Sequence, residues 1–210
     1  YKDYKINIIR NKKNFGPAQS RNIGASKAKF EYLFFLDSDT IFHKDLSKII
    51  TKNLKNNNVI VGHYDIKPIN NSISANFKAI YNFFHFSRKG NAKYETFNSA
   101  CAIIKKKIFL SLKGFKKSIK WGMDYENEEL GRRIIKKHSI LLIPSLTVRH
   151  EFPNFLKMLK LYFIRAIPYV GIILKDKKFE NTGPGFSGII HSILYSILTT
   201  LSLTSYIFFY

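Results

Sequence analysis

Residues 32–39 read Tyr-Leu-Phe-Phe-Leu-Asp-Ser-Asp, an uninterrupted apolar run that stops at two carboxylates. A short apolar run bounded by helical patterns predicts a central strand that is buried on both faces of a sheet. In open α/β sheets, ligands bind outside the carboxyl ends of the strands. Asp37 and Asp39 therefore fall where a binding site is expected, and this stretch indicates both the fold class and the position of the site.

Strand and helix patterns alternate on both sides of this run. The sequence predicts strands at residues 4–10, 59–64, 100–104, 140–143 and 147–149, and helices at residues 17–28, 45–55, 75–86, 107–112 and 125–137. Such alternation is typical of an α/β domain with a mostly parallel sheet. Within the third of these helices, Tyr81, Phe83, Phe84 and Phe86 are interpreted as the packed face.

The composition excludes several classes of protein. With 210 residues, of which 45% are hydrophobic, the chain is long and apolar enough for one domain with a core. The single cysteine, Cys101, excludes a disulfide scaffold and a Cys-based zinc site, and its alanine neighbours predict a small buried residue. The net charge of +21 attracts anions. No aromatic-basic RNA motif accompanies it, so nucleic acid is not expected as a partner.

The C-terminal part of the chain predicts a membrane attachment. Residues 186–210 contain no Lys, Arg, Asp or Glu and could cross a hydrocarbon core of about 30 Å as a transmembrane helix. Lys175, Lys177 and Lys178 precede this stretch, as expected of a cytoplasmic flank. The alternative is a buried C-terminal helix.

The region 153–180 has a different pattern. Lys157, Lys160 and Arg165 recur near helical spacing among apolar residues, which favours an amphipathic helix lying on an anionic interface. An ordinary packing helix is the alternative. Together the two C-terminal regions predict a membrane-associated protein whose folded domain lies on the cytoplasmic side.

Two carboxylates at positions i and i+2 repel each other unless a positive charge lies between them. A divalent ion with a preference for oxygen ligands, Mg²⁺ or Mn²⁺, would offset Asp37 and Asp39 and could also bind phosphate oxygens. Such an ion would stabilise the charge on a departing diphosphate. The alternative is a solvated turn in which Asp39 caps the next helix.

Several segments, in chain order, are similar to the motifs of one family. Residues 16–24 resemble a G-x-x-x-x-R-N-x-G helix, and residues 31–39 resemble an apolar strand that ends in a D-x-D motif. Residues 98–104 and 112–115 are similar to a segment that ends in a Gly-Gly-Phe-Asp-Glu consensus. Residues 126–133 resemble an E-D-x-E-L-G-x-R helix, and Pro144 with residues 148–150 resembles a closing p…v-x-H element. In this order the motifs resemble those of the family-2 glycosyltransferases.

This resemblance implies a GT-A fold over residues 1–152, a nucleotide-diphospho-sugar donor, a glycan or lipid-linked acceptor, a divalent metal and inversion at the anomeric carbon. By the same resemblance, Asp37 would lie near the donor and Asp39 would bind the metal. His150 would be a further metal ligand, and its alternative is a structural hydrogen bond. The process implied is the synthesis of a cell-surface polysaccharide or glycolipid.

Other residues of these motifs have less specific roles. Arg21 would face the nucleotide or its phosphates, or alternatively form a salt bridge within the fold. Asn22 and Gly24 are expected to serve turn and packing geometry. Trp121 could stack on an acceptor sugar, and packing in the core is the alternative.

The chain departs from the family pattern at the general base. An inverting transfer needs a group that takes the proton of the acceptor hydroxyl, and the resemblance assigns that role to the aspartate of the E-D pair. This position is Asn127, whose amide cannot accept a proton at neutral pH. Glu126 is therefore the first candidate for the base and Asp124 the second, with Glu129 nearby; the alternative is a solvated helix N-terminus. A second departure from the family pattern is Lys116-Lys117, which follows Gly114-Phe115 where the Gly-Gly-Phe-Asp-Glu consensus has Asp-Glu.

Only about 15 residues precede the helix at 16–24, whereas the family carries further nucleotide-binding strands there. The chain is therefore expected to be a fragment that lacks much of the base-binding half. A catalytically weak relative that binds nucleotide or glycan, and a basic membrane-binding protein, are the alternative functions.

Overall fold

The computed structural model describes residues 6–87, 90–117, 125–161, 164, 194, 195, 197, 198 and 201. The backbone divides into two units, Tyr1–Tyr169 and Val170–Tyr210. The described elements of the first unit follow the order α1 (Gly16–Lys27), β1 (Tyr32–Leu36), β2 (Thr40–Phe42), α2 (Leu46–Leu54), β3 (Val59–Tyr64), α3 (Ile73–Ser87), β4 (Ala92–Tyr94), β5 (Cys101–Lys105), α4 (Lys106–Ser111), α5 (Tyr125–Ile135) and β6 (Ile140–His150).

The strands form a mixed sheet with the order β1-β5-β3-β6-β2, and β4 also pairs with β6. Only β3 and β6 are parallel among the described pairs; β5 runs antiparallel to both β1 and β3, and β6 runs antiparallel to β2 and β4. The prediction of a mostly parallel sheet is therefore wrong. Alternation of helices and strands does not reveal that β5, late in the chain, inserts between two earlier strands.

The strand that ends in the two aspartates lies at the end of this order rather than in the centre. β1 matches the predicted residues, and Leu33 and Phe35 are buried. Phe34 is 39% exposed, so the prediction of burial on both faces is wrong. Residues 6–10 form no strand in the described structure, contrary to the prediction for residues 4–10.

Apolar side chains fill both sides of the sheet. On one side Phe35 packs against the rings of Phe97, Phe109 and Phe115, with centroids 5.5, 5.2 and 5.9 Å away. On the other side, Leu46 of α2 packs with Ile60, Cys101 and Val148. Cys101 has no exposed surface, and burial raises the pKa of its thiol to about 12. The prediction of a small buried residue is confirmed.

β6 is one long strand where the sequence predicted two. The register between β3 and β6 shifts between Val61 and His63, next to Pro144, and proline within a sheet is typical of such irregularities. The buried ring of His63 places Nε2 3.0 Å from the carbonyl oxygen of Pro144. β6 therefore continues past the proline and ends at His150, which is close to the turn that follows β1.

The side-chain packing of α3 differs in part from the prediction. Phe83 and Phe86 contact the ring of His63, with centroids 5.7 Å away in both cases. Tyr81 and Phe84, which the sequence predicts on the same packed face, are exposed instead. Aromatic residues that fall on two sides of a helix cannot be assigned to one face from composition alone.

Most of the predicted C-terminal regions lies outside the described residues. Residues 155–161 are helical, and Asn154 caps this helix by accepting the Lys157 N–H at its Oδ1, 3.0 Å away. Within 186–210, Leu194, Tyr195, Ile197, Leu198 and Leu201 are helical and exposed. In the part of the chain that can be described, no helix has the length and apolar character needed to cross a bilayer. The boundaries 153–180 and 186–210 stay predictions.

Two glycines differ sharply in their surroundings. A Cβ on Gly131 of α5 would collide with the carbonyl oxygen of Glu95 and lie 3.0 Å from the Phe97 nitrogen. A Cβ on Gly24 of α1 would have nothing within 4 Å. The expected turn role holds for Asn22, whose side chain bonds both the N–H and the C=O of Phe115 at 2.9 and 2.8 Å. It does not hold for Gly24, which lies inside a helix.

We expect Gly131→Ala to lower the free energy of unfolding by about 1–3 kcal/mol, because α5 must move away from the backbone at Glu95. The matched variant Gly24→Ala should raise it by about 0.5–1 kcal/mol, because a helix interior favours alanine over glycine. Thermal and urea unfolding of both variants measure these changes. Equal effects in the two variants would show that α5 does not pack as described.

The carboxylate of Asp65, which directly follows β3, is hydrogen-bonded to the neighbouring strand β6. Asp65 accepts hydrogen bonds from the Lys67 N–H and the Thr147 hydroxyl at 2.8 and 3.1 Å, and lies 2.9 Å from Nε2 of His43. Burial alone would raise the pKa of Asp65. The bonds from Lys67, His43 and Thr147 outweigh burial, and the pKa falls below the ordinary value of 3.8.

Because the pKa of Asp65 is lower in the folded state, its ionisation stabilises the fold above about pH 3.8. This stabilisation is lost as the pH falls through the folded-state pKa. We expect Asp65→Asn to be less stable than the wild type at pH 6, with the difference shrinking towards pH 3. Urea unfolding midpoints across this range measure the difference, and Asp45→Asn, which alters an exposed carboxylate, is the control. A difference that does not change with pH would contradict the prediction.

Candidate active site

The turn Asp37-Ser38-Asp39 connects β1 to β2 at the edge of the sheet. The Thr40 hydroxyl donates to the Asp37 carbonyl at 2.7 Å, and the Glu151 N–H donates to the Asp39 carbonyl at 3.1 Å. β2 pairs Thr40 with His150. Strand pairing therefore holds His150 against the turn. The alternative role of Asp39 as a helix cap is wrong, because a strand follows it.

Asp37, Asp39 and His150 form a group that fits a metal ion. One ligand atom from each lies within 4.8 Å of the others, and Nε2 of His150 is 3.4 Å from Oδ2 of Asp39. Burial lowers the pKa of His150, although Asp39 and Asp37 oppose this, so the neutral imidazole that metals require is favoured. The buried Nδ1 has no hydrogen-bond partner among the described atoms. Two oxygen donors and one nitrogen donor suit Mn²⁺.

The structure places Arg21 between two acidic side chains. Its guanidinium donates to Oδ1 of Asp37 at 2.6 Å and lies 3.6 Å from Oε1 of Glu126. The ring of Phe115 supports it, with a centroid 5.8 Å away. Arg21 therefore forms the salt bridge that was its alternative role, and contact with a nucleotide phosphate stays a prediction.

The acidic residues of α5 separate into two groups. Glu126, in the first turn, is buried next to Arg21. Glu129 is also buried, but Arg133 binds it at 2.6 Å and Lys116 at 2.8 Å. Glu129 therefore belongs to a structural ion-pair network and is not available as a base. Lys116, which departs from the family pattern, pairs with Glu129 in this network, and no sequence motif predicts that pairing.

Asn127 connects α5 to the segment that precedes β5. Its Oδ1 accepts the Ser99 N–H at 3.3 Å, and its carbonyl accepts the Phe97 N–H at 3.2 Å. The amide at the position of the family base thus has a packing role. Asp124 and Trp121 lie outside the described residues, so their assignments as second base candidate and acceptor contact stay predictions.

The sequence model of glycosyl transferase family 2 matches residues 1–112, slightly more than half of the chain. The chain belongs to this family. The matched region contains Arg21, Asp37 and Asp39. The mixed α/β sheet is a GT-A-like fold, as the resemblance implied, although the sheet is not mostly parallel.

Curated relatives match parts of the chain. An uncharacterized glycosyltransferase of Rickettsia felis is 44% identical over 69 residues, which are 33% of this chain and 11% of the relative. The poly(ribitol-phosphate) beta-N-acetylglucosaminyltransferase TarP of Staphylococcus aureus is 36% identical over 114 residues, which are 51% of this chain and 30% of TarP. The chain therefore spans less than a third of the length of either relative.

A solved structure shows the same fold. GalNAc-T7, crystallised with UDP, GalNAc and Mn²⁺, superposes with a TM-score of 0.51 at 17% identity, covering 69% of this chain and 32% of GalNAc-T7. At this identity the likeness shows the fold alone.

We expect Mn²⁺ to raise the melting temperature of the protein, because an ion bound only by the folded state stabilises it. The gain is about 2.7 kcal/mol at a free concentration of about 100 times the dissociation constant. Asp39→Asn should abolish most of this gain, whereas Asp45→Asn, at an exposed carboxylate on α2, should keep it. Differential scanning calorimetry with Mn²⁺ and with chelator measures the shift. An equal gain in Asp39→Asn would place the ion elsewhere.

Proposed function

We propose that this chain carries catalytic residues of a glycosyltransferase that moves a sugar from a nucleotide-diphospho-sugar to an acceptor hydroxyl with inversion. The observation that carries the proposal is the group of Asp37, Asp39 and His150, joined through Arg21 to the buried carboxylate of Glu126. In a chain of this family, the arrangement combines a place for a metal, a fixed cation and a proton acceptor within a few ångströms.

Asp39 and His150 would hold the divalent ion, with Asp37 as the third donor. When bound, a Mn²⁺ or Mg²⁺ ion supplies positive charge that stabilises the leaving diphosphate. The neutral imidazole of His150 is already in the form that can donate its lone pair, since burial lowers its pKa. The backbone bond from the Glu151 N–H to the Asp39 carbonyl holds the turn that carries this carboxylate.

Glu126 is proposed as the general base. Its carboxylate would take the proton of the acceptor hydroxyl while the oxygen attacks the anomeric carbon from the side opposite the leaving group, which inverts the configuration. Arg21 would orient Asp37 and Glu126 relative to each other, because it contacts both. Glu129 is not proposed, since Arg133 and Lys116 bind it.

A second candidate function is binding of a nucleotide or glycan with little catalysis. The observation that favours it is Asn127, an amide at the position of the family base whose oxygen is occupied by the Ser99 N–H. This candidate requires the donor site but no proton acceptor.

We further propose a glycopolymer or lipid-linked glycan as the acceptor, at the cytoplasmic face of a membrane. TarP supports a polymer acceptor, since its name describes transfer to poly(ribitol-phosphate). The lysines at 175, 177 and 178 before the charge-free residues 186–210 support a membrane location. The role would be in the synthesis of a cell-surface polysaccharide or glycolipid.

We expect the full-length protein to release nucleoside diphosphate from one member of a panel of nucleotide-sugars, with Mn²⁺ and not with chelator. Asp39→Asn should lower turnover because it removes a metal ligand, and Glu126→Gln should lower kcat by about 10²–10⁴-fold because it removes the base. Asp45→Asn is the matched control for the loss of a carboxylate and should turn over like the wild type.

The outcomes separate the candidate functions. Loss of turnover in Asp39→Asn but not in Glu126→Gln would contradict Glu126 as the base and favour Asp124. Tight binding of a nucleotide-sugar without turnover, when membrane and acceptor extract are supplied, would favour the binding protein. Absence of both binding and turnover in the full-length protein would overturn the proposal.

A further inference from the structure

The helix α3 is apolar on two opposite sides. Ala75 and Ala79 are fully buried against Phe152, and Phe83 and Phe86 contact His63. The opposite side is also apolar but faces solvent, with side chains between 44% and 92% exposed at Ile73, Phe77, Ile80, Tyr81 and Phe84. These five residues recur at helical spacing and lie within an arc of about 100°. We call them the α3 stripe.

The α3 stripe is an unusual surface for a protein in water. Phe77 and Tyr81 stack on each other in the open, with centroids 6.3 Å apart and rings inclined by 22°. Soluble monomers rarely expose a continuous apolar patch of this kind, and such patches mark sites of contact with a partner or a membrane. A large aromatic content is typical of surfaces that lie at the level of lipid headgroups.

A second exposed apolar surface begins beside the first turn of α3. The Ser74 hydroxyl donates to the Pro153 carbonyl at 3.3 Å, and the Asn70 side chain bonds both the N–H and the C=O of Phe152 at 2.9 and 2.7 Å. The helix of residues 155–161 starts directly after these contacts. Its exposed apolar residues are Phe155, Leu156 and Leu159.

The charged residues on the two helices are all positive. The sequence has no Asp or Glu between Asp65 and Glu95, or from residue 152 to 161. Lys157 and Lys160 are exposed on the second helix, and the Lys78 ammonium lies 5.6 Å from the Tyr81 ring. Apolar side chains flanked by cations, with acids absent from both helices, match an anionic lipid surface.

We propose that the α3 stripe and the helix of residues 155–161 dock together onto an anionic lipid bilayer. The apolar side chains would enter the headgroup region, and the lysines would contact lipid phosphates. A second copy of the chain fits this surface less well, because it would bring lysines against lysines in a protein of net charge +21. This inference adds a contact on the folded domain itself to the attachment expected from the C-terminal sequence.

The docked surface would lie close to the candidate active site. Phe152, which packs under α3, has its ring 4.8 Å from that of His150, and the Tyr64 ring is 4.6 Å from the same histidine. The α3 stripe is on the other side of this helix, so α3 and the ring of Phe152 separate it from His150, a proposed metal ligand. Docking at this surface could present an acceptor from the bilayer to the site, and this consequence rests on the proposed function. The docking itself does not depend on that function.

Labelling of single cysteines tests the proposal on the full chain. Cys101 is fully buried and its thiol has a pKa of about 12, so a thiol-reactive fluorophore should label an introduced cysteine alone. Phe77→Cys and Phe84→Cys place an environment-sensitive label on the α3 stripe. Phe30→Cys is the matched control, since Phe30 is 83% exposed and precedes β1 at one end of the sheet order, whereas α3 packs on β3 and β6.

We expect vesicles of phosphatidylcholine with phosphatidylglycerol to shift the emission at positions 77 and 84 to the blue and to increase it several-fold. Vesicles of phosphatidylcholine alone, or high salt, should weaken the change, because salt screens charges beyond about 10 Å at 0.1 M. The label at position 30 should not change.

Three results would overturn the proposal. Labels at 77 and 84 that stay aqueous while the protein sediments with vesicles would place the membrane contact elsewhere. A blue shift without vesicles that grows with protein concentration would identify a second copy as the occupant. A blue shift without vesicles that is independent of concentration would mean that another part of the chain covers the stripe.

A charge-reversal pair separates docking by this surface from attraction by net charge. Lys157→Glu with Lys160→Glu should weaken binding to the anionic vesicles several-fold more than Lys52→Glu with Lys55→Glu, which makes the same charge change at exposed positions at the end of α2. Equal losses in the two double variants would contradict a specific docking surface. None of these four lysines belongs to the candidate active site, so nucleotide-sugar turnover without lipid is an independent readout.

Discussion

The Arg21 guanidinium connects three of the elements that build the candidate site. It extends from α1 to Asp37 at the end of β1 and to Glu126 in the first turn of α5. Without a cation between them, two carboxylates brought together by the fold would repel each other at a partly buried place, where water screens charge poorly. The neighbouring Asn22 reinforces the arrangement, because it fixes the Phe115 backbone whose ring supports the guanidinium.

The other half of the site depends on strand pairing rather than on ion pairs. Thr40 pairs with His150, and the Glu151 N–H bonds to Asp39, so the backbone brings the imidazole to the aspartates. The site thus contains three carboxylates, at Asp37, Asp39 and Glu126, and Arg21 pairs with the first and the last of them. Asp39 lies next to the imidazole instead, which is where a divalent ion would add positive charge.

The features of the fold and of the candidate site that depend on local sequence patterns could be predicted. The residues of α2, β3 and β5 follow the sequence closely, and Asp37, Asp39, His150, Arg21 and Glu126 come together as the motifs suggested. Strand order is a long-range property, so the run at 32–36 could not reveal that its strand ends the sheet and exposes Phe34. Similarly, α3 carries aromatic residues on both sides, and only its contacts with Phe152 and His63 decide which side is buried.

The chain departs from the family pattern at Lys116 and Asn127, and both departures affect the negative charge at the start of α5. Glu126, Glu128 and Glu129 already occupy its first turns, and two basic side chains, Lys116 and Arg133, neutralise Glu129. A further aspartate at position 127 would add a like charge beside Glu126, whose ion-pair partner Arg21 is also bound to Asp37. The amide avoids that repulsion and still accepts the Ser99 N–H. The substitution therefore leaves Glu126 as the carboxylate of this pair that faces Arg21. The loss of the family aspartate is for this reason compatible with the proposed transferase, in which Glu126 is the base.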